Sequence, residues 1–502
     1  MTFLKEGTRP NRASAATGKA KNVKVAAGKA ASHDPATPPA LLEFMVQRWK
    51  APSGKLPPRV EGAKNFKARR SALSKRFPGE LLVIPSGHEK IRSNDTIYPF
   101  RAGTEFYYLT GNLEPDCVLV LEPTAQGHRH VLYVEPNPGK VDATFFTDRH
   151  KGELWVGPRL GVPESKHRFD VDECRPIKEL GPSLAKGLST KPTRILRGFS
   201  EVTEKACHAG LAVSAERDKE LAEVLSEARL LKDALEVKEL EKAIDSTKRG
   251  FEDVISRLKV AKSEREVEGV FFTRARTEGN DVGYGTIAAS GDHACTLHWT
   301  KNDGAVKKGD IMLLDAGVEA CTLYTADITR TLPISGKFSK EQRMVYELVL
   351  EAQRLAFLEV APGKDFLDPN RAAMKVLTEG LVRWGILKCT VEEALHPEKQ
   401  LYRRYTLHNV SHMLGLDVHD CAKARAQTYK FGKLEAGMVL TVEPGLYFQR
   451  DDLTVPEKFR GIGVRIEDDV LVTKNGHRNL SAHIPSQTRD VESWMKSVWK
   501  SR

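Results

Sequence analysis

The chain has 502 residues, 40% of them hydrophobic and 29% charged, with a formal net charge of +11. That composition fits a globular protein of two or three domains and excludes a collagen-like, disulfide-rich or wholly disordered chain. No apolar run reaches the length of a membrane span, so no membrane contact is expected.

The charge is unevenly placed. Residues 1–76 carry 17 Lys and Arg against 4 Asp and Glu, whereas the remainder carries 61 against 63. Residues 1–38, rich in Ala, Lys, Gly, Thr and Pro, hold too little apolar surface to fold and are predicted to be a disordered basic tail. Aromatic residues do not interleave its charges, so nucleic acid is not expected as a partner. The seven cysteines are scattered, odd in number and without a C-x-x-C pair. They fit a reduced, cytoplasmic protein better than a disulfide framework.

Residues 39–65 read as a helix (LLEFMVQRWK) and a linker (APSGKLPP). Residues 66–229 read as an α/β domain. A basic helix, FKARRSALSKRF, precedes β-rich runs at LLVIPSG, FYYLTG, CVLVLEP and HVLYVEP, and helices return around 200–230. From Leu230 the segment LKDALEVKELEKAIDSTKRGFEDVISRLK is strongly helical, with acids early and bases late. The domain boundary is placed there. Residues 230–502 mix helices with β-hairpins and read as an α+β domain.

Three apolar runs of that domain each end on a carboxylate: IMLLD (Ile311–Asp315), MVLTVE (Met438–Glu443) and GVRIE (Gly463–Glu467). An ionised acid at the end of a buried strand is costly unless it is paired or bound to metal. Strand alternation puts Asp315 on the face of Ile311 and Leu313, and Arg465 on the face of Glu467. A fourth acid, Asp327, opens the β-rich run DITRTLP and is expected to face Asp315 across a hairpin, with Thr329 on its own face as a supporting partner. Pro444-Gly445 stops the strand after Glu443 and so sets where that carboxylate points.

Between these runs lies HNVSHMLGLDVHD, with His408, His412 and His419. Its glycine-broken pattern suggests that the imidazoles sit on different elements around one pocket. His298, before Trp299, is a further candidate on spacing alone. Any one of these acids is more often a paired strand end. Clustered, however, the four would repel strongly without a cation. Four carboxylates with one imidazole suit a hard or borderline divalent ion such as Mn²⁺, and they balance the charge of two. Two such ions activate water and polarise a substrate oxygen together, which points to hydrolysis.

At these residues the chain resembles the aminopeptidase P and prolidase family of proline-specific metallopeptidases. The motifs that carry the resemblance are LLDAGVEACTLYTADITRTLPISGKFS, HNVSHMLGLDVHD, GMVLTVEPGLY and GIGVRIEDDVLVT, with FRAGTEFYYLTGNLEPDCVLVLEP upstream. The resemblance spans roughly residues 65–485 and implies an α+β pita-bread catalytic domain with a pseudo-duplicated antiparallel sheet, preceded by a smaller α/β domain. It implies that Asp315, Asp327, His412, Glu443 and Glu467 hold two divalent ions, with Asp327 and Glu467 bridging and Glu443 also shuttling a proton. It implies that His298, His408 and His419 face the substrate, and that Arg465 and Thr329 support the ligands. The implied reaction is attack by a metal-bridging hydroxide on the bond between an N-terminal residue and a following proline, in a homodimer or homotetramer.

Three departures from the family pattern stand out. The interval from Asp315 to Asp327 is one residue longer than in many members, which calls for a longer loop or a bulge. Asn409 replaces a common Gly. The stretch after His419 is long and holds Lys423, Arg425 and Lys430, candidates to meet a substrate carboxylate. The alternatives are a prolidase acting on dipeptides, a non-catalytic binding module and a metal-free creatinase-like hydrolase. The survival of all five ligand positions argues against the last two, and the N-terminal block and total length favour aminopeptidase P over prolidase.

Overall fold

The computed structural model describes residues 37–50, 54–188, 191–208 and 214–501. The disordered tail expected over 1–38 lies outside the described residues apart from its last two positions.

A mixed five-stranded sheet forms the first half. Its strands run in the order Glu173–Pro176, Gly127–Val134, Val118–Thr124, Leu81–Pro85, Thr193–Ile195. The middle strand, Val118–Thr124, is antiparallel to both of its neighbours, and each edge strand is parallel to its neighbour. Alternation divides the side chains cleanly. Leu82, Ile84, Leu119, Leu121 and Leu132 enter the main core, whereas Leu81, Val83, Val118, Val120 and Val131 pack into a second core on the opposite face. Covering both faces explains why LLVIP is apolar throughout.

FYYLTG, expected among the β-runs, is helical within Thr104–Thr110. Its aromatic residues favour strands locally, but Phe106, Tyr107 and Tyr108 are buried, and Tyr107 packs edge-on against Phe66 at 5.9 Å. Tertiary packing overrides the local preference.

The helix Ala234–Leu258 opens the second half with a capping box between Asp233 and Glu236. Two similar arrangements follow. In the first, helices Ala234–Leu258 and Glu264–Glu278 accompany an antiparallel sheet ordered Ile328–Pro333, Ile311–Ala316, Ile287–Ser290. In the second, helices Lys340–Leu358 and Asp368–Arg383 accompany a sheet ordered Val439–Val442, Asp468–Thr473, Gly476–Asn479. Each sheet offers one strand with an acid near or just past its C-terminal end and another preceded by one: Asp315 and Asp327 in the first, Glu443 and Glu467 in the second.

Arg330, fully buried, fastens the two sheets together. It donates to the Glu467 carbonyl at 2.6 Å and to Asp468 at 2.7 Å. Further buried and half-buried pairs tie the two halves of the chain. Arg229 and Lys232 flank Asp420 at 3.0 and 3.1 Å, Arg229 also meets Glu105, and Thr104 donates to Asp417 at 2.7 Å. The segment that carries His419 is thus held from both sides.

Candidate active site

The strand ends meet at a cavity of about 590 Å³ lined by Asp315, Asp327, His412, Glu443 and Glu467, and by His298, His408, His419 and Arg465. Nine of the ten predicted side chains are brought together there. Thr329 stands directly behind, donating to Glu467 at 2.6 Å.

Asp315 and Asp327 do not pair directly across the hairpin. The register sets Asp315 opposite Thr329, which leaves Asp327 diagonal to it, just before the strand Ile328–Pro333. Between the acids the chain breaks its strand at Gly317 and passes through a turn in which Leu323 has φ +64°. Gly317 is required at the break, because a Cβ there would lie 1.7 Å from the Ala326 carbonyl oxygen.

Tyr284 joins the two acids. Its hydroxyl donates to Asp315 at 2.6 Å and also touches Asp327. Burial and the surrounding carboxylates hold the phenol's pKa well up, so it stays a donor. Arg465 is ion-paired with Asp315, donates to Thr329 at 3.2 Å and donates to the Tyr447 hydroxyl at 2.9 Å. Tyr447 lies 2.8 Å from His408 Nε2, and His408 Nδ1 lies 2.8 Å from the Asn409 carbonyl. In the tautomer that satisfies both contacts, Tyr447 donates to Nε2 and Nδ1–H donates to Asn409. Burial and Arg465 push His408 down to about 4, which keeps the ring neutral.

His412 Nδ1 lies 3.2 Å from the Met413 carbonyl, which turns Nε2 toward Asp327 at 3.2 Å and Glu443 at 3.5 Å. Burial pulls this ring's pKa down, but Asp327 and Glu443 outweigh it and raise it to about 9. Glu443 is pushed up to about 7 by burial, against the pull of His412 and Arg465. Burial and the neighbouring acids hold Glu467 well above the usual carboxylate range, and burial also raises Asp315.

These residues fit a divalent metal centre. One ligand atom each from Asp327, His412 and Glu467 lies within 4.8 Å of the others. Four acids share one guanidinium, and the single Tyr284 proton cannot satisfy Asp315 and Asp327 at once. Such a donor set lowers its energy by taking up cations.

Three contributors escaped the sequence reading. Tyr284 sits in the glycine-flanked VGYG segment, which carries no periodic signal. Tyr447 closes GMVLTVEPGLY, where Gly445 leaves room for its hydroxyl: a Cβ there would lie 2.3 Å from it. Asp469 accepts from the Asp327 backbone N–H at 3.2 Å and so fixes that ligand's backbone. The repeated acids of IEDD were its only signal. Lys423, Arg425 and Lys430 do not line the cavity, and Arg425 is instead paired with Glu227 at 2.6 Å.

Fold and site together define the pita-bread class of protein. Residues 238–474 match the model of metallopeptidase family M24, and residues 66–196 match that of the aminopeptidase P N-terminal domain. Xaa-Pro aminopeptidase 1 of Streptomyces coelicolor is 55% identical over 433 residues, covering 86% of this chain and 87% of its own. The Xaa-Pro aminopeptidase of Escherichia coli is 34% identical over 450 residues, covering 87% and 98%. Among solved structures, E. coli aminopeptidase P with the inhibitor Pro-Leu superposes with a TM-score of 0.78 at 32% identity, covering 87% of this chain and 99% of that one. Aminopeptidase PepP of Pseudomonas aeruginosa gives 0.78 at 33% identity, covering 88% and 100%. This chain belongs to metallopeptidase family M24, in the aminopeptidase P group.

Proposed function

We propose that this chain is a metal-dependent Xaa-Pro aminopeptidase, which hydrolyses the bond between an N-terminal residue and a following proline. The observation that carries the reading is the meeting of Asp327, His412 and Glu467 within 4.8 Å, beside Asp315 and Glu443 in a peptide-sized cavity. The names of relatives that align along most of their length support it.

Asp315, Asp327, His412, Glu443 and Glu467 would hold two divalent ions. Mn²⁺ suits this oxygen-rich set best, and zinc is the competitor to test, since one solved relative is a zinc-substituted form. Such ions, when bound, lower the pKa of water and polarise a carbonyl oxygen.

The chain's own groups do the rest. Glu443, raised toward neutrality, takes the proton of the attacking water and delivers it to the prolyl nitrogen. That nitrogen is a tertiary amide without an N–H and leaves only once protonated. Both nitrogens of His408 are engaged, by Tyr447 and by Asn409. The donor to the developing oxyanion is therefore assigned to His419, and His408 shapes the wall. His298 and His419 are the exposed imidazoles of the cavity and orient the peptide. The substrate's free α-amine meets the acids, which selects an N-terminus.

The test is a peptide panel with the purified protein. Ala-Pro-Ala should be cleaved to Ala and Pro-Ala, faster than Ala-Pro and far faster than Ala-Ala-Ala. A chelator should abolish the activity and Mn²⁺ should restore it. Full cleavage by the chelated, metal-free protein sinks the reading. A cytoplasmic homo-oligomer completes the proposal. Its support is seven free thiols, five of them buried, and large apolar side chains at the surface of the N-terminal half, such as Phe44 and Ile91.

A further inference from the structure

The loop between strands Ile287–Ser290 and Ile311–Ala316 carries His298 at its middle, exposed and lining the cavity. This loop is organised around one carboxylate outside the cavity. Glu264, the first residue of helix Glu264–Glu278, is fully buried. Its Oε1 accepts from the Ser290 backbone N–H at 2.7 Å and meets His293 Nδ1 at 2.8 Å. Its Oε2 accepts from the Trp299 indole at 2.8 Å and from the Gly304 backbone N–H at 2.6 Å.

All four donors belong to residues 290–304. The two ends of that segment, its stacked pair His293 and Trp299 (3.9 Å between ring centres), and the neighbour of His298 are thereby tied to one side chain. Packing at the carboxylate is close, since a Cβ on Gly304 would lie 2.5 Å from the His293 ring and 2.7 Å from Glu264 Oε2. A carboxylate accepts about four hydrogen bonds, so its capacity is full. It has none left for a substrate, and its work is done through the loop.

We propose that Glu264 is a positioning residue of the active site, which sets His298 against the substrate by holding the loop 290–304 from behind. This rests on the reading that His298 faces the peptide.

The experiment compares wild type, E264Q, W299F, H298A and the double variants E264Q/H298A and W299F/H298A on Ala-Pro-Ala, with metal content and thermal midpoint measured for each. Gln keeps the size of Glu264 but turns an amide N–H₂ toward two N–H donors. A displacement of about 1 Å at a positioned group costs on the order of 100-fold in rate. E264Q is therefore expected to lower kcat/KM by about 10- to 100-fold, with the same split between kcat and KM as H298A and with full metal content. W299F, which loses the indole donor and keeps a smaller aromatic ring against His293, is expected to cost about threefold to tenfold.

Each double variant is expected to be no slower than H298A alone, because the loop has nothing left to position. Losses that multiply in the doubles, or wild-type activity in E264Q, overturn the proposal and leave the function reading intact. Wild-type activity in H298A overturns the role of His298 and the proposal with it. If E264Q does not fold, the W299F pair decides by the same comparison.

Discussion

Arg465 is ion-paired with Asp315 in a cavity whose lining, among the described residues, contains no other lysine or arginine. The same guanidinium donates to Tyr447 and Thr329, so it compensates an acid and aligns its neighbours together. Removing one member of a buried pair leaves the other charge unmatched, at a cost of about 3 kcal/mol or more. R465Q should therefore lower the stability of the metal-free protein by about that amount, measured by urea unfolding in chelator. Added Mn²⁺ should shrink the deficit, because cations take over the compensation of Asp315. A deficit below about 1 kcal/mol in chelator would show that the pair contributes little.

The buried groups also set how the metal-free protein responds to pH. His412 has a folded pKa of about 9 against an ordinary 6.5. Between those values the native state holds a proton that the unfolded chain releases, so stability falls as pH rises. Glu443, at about 7 against 4.5, acts in the same direction at lower pH. His408, at about 4 against 6.5, acts oppositely between pH 4 and 6.5, where the unfolded chain binds the extra proton. The clean window is therefore pH 6.5 to 9. The thermal midpoint in chelator should fall across it, and the gain on adding Mn²⁺ should be larger at pH 8.5 than at pH 6. A metal-induced gain that is flat across the window would contradict the assignment of His412 and the acids to the metal.

How much of this could be read from residues alone follows from the physics of each group. Asp315, Glu443 and Glu467 stood out because an acid that ends an apolar run is expensive, and that expense is visible in the order of residues. His412 stood out through its company. The diagonal relation of Asp315 and Asp327 was not visible, because it depends on the hairpin register that sets Asp315 opposite Thr329, which the order of residues does not state. Tyr284 and Tyr447 were missed because a single tyrosine, whether between glycines or at the end of a short strand, has no period to betray it. Their importance comes from contacts across 31 and 18 residues of sequence separation. FYYLTG misled for the converse reason: its local β preference is real, but burial against Phe66 decides its state.

Glu443 is assigned both a ligand role and the proton transfer, and these separate in E443Q. The amide oxygen still ligates but takes up no proton. General acid–base catalysis contributes about 10²- to 10⁴-fold, so kcat on Ala-Pro-Ala should fall by that factor. Metal content by elemental analysis should stay above half of wild type if ligation is largely kept. A loss of activity below tenfold with metal retained would assign the proton to another group.

Tyr284 touches both aspartates with one proton, and its role is to hold them rather than to react. Y284F removes only the hydroxyl from a buried ring. Partners of metal ligands typically contribute 10- to 100-fold in affinity, so the Mn²⁺ concentration for half-maximal activity should rise by about that factor. At saturating Mn²⁺ most of the activity should return, because the ions then order Asp315 and Asp327 themselves. The metal-free variant should not be destabilised in the way R465Q is, because Tyr284 offers those acids a hydrogen bond and no charge. A fall in kcat at saturating Mn²⁺ with unchanged metal affinity would instead place the Tyr284 hydroxyl at the substrate. Metal titration monitored by activity and by calorimetry separates the two outcomes.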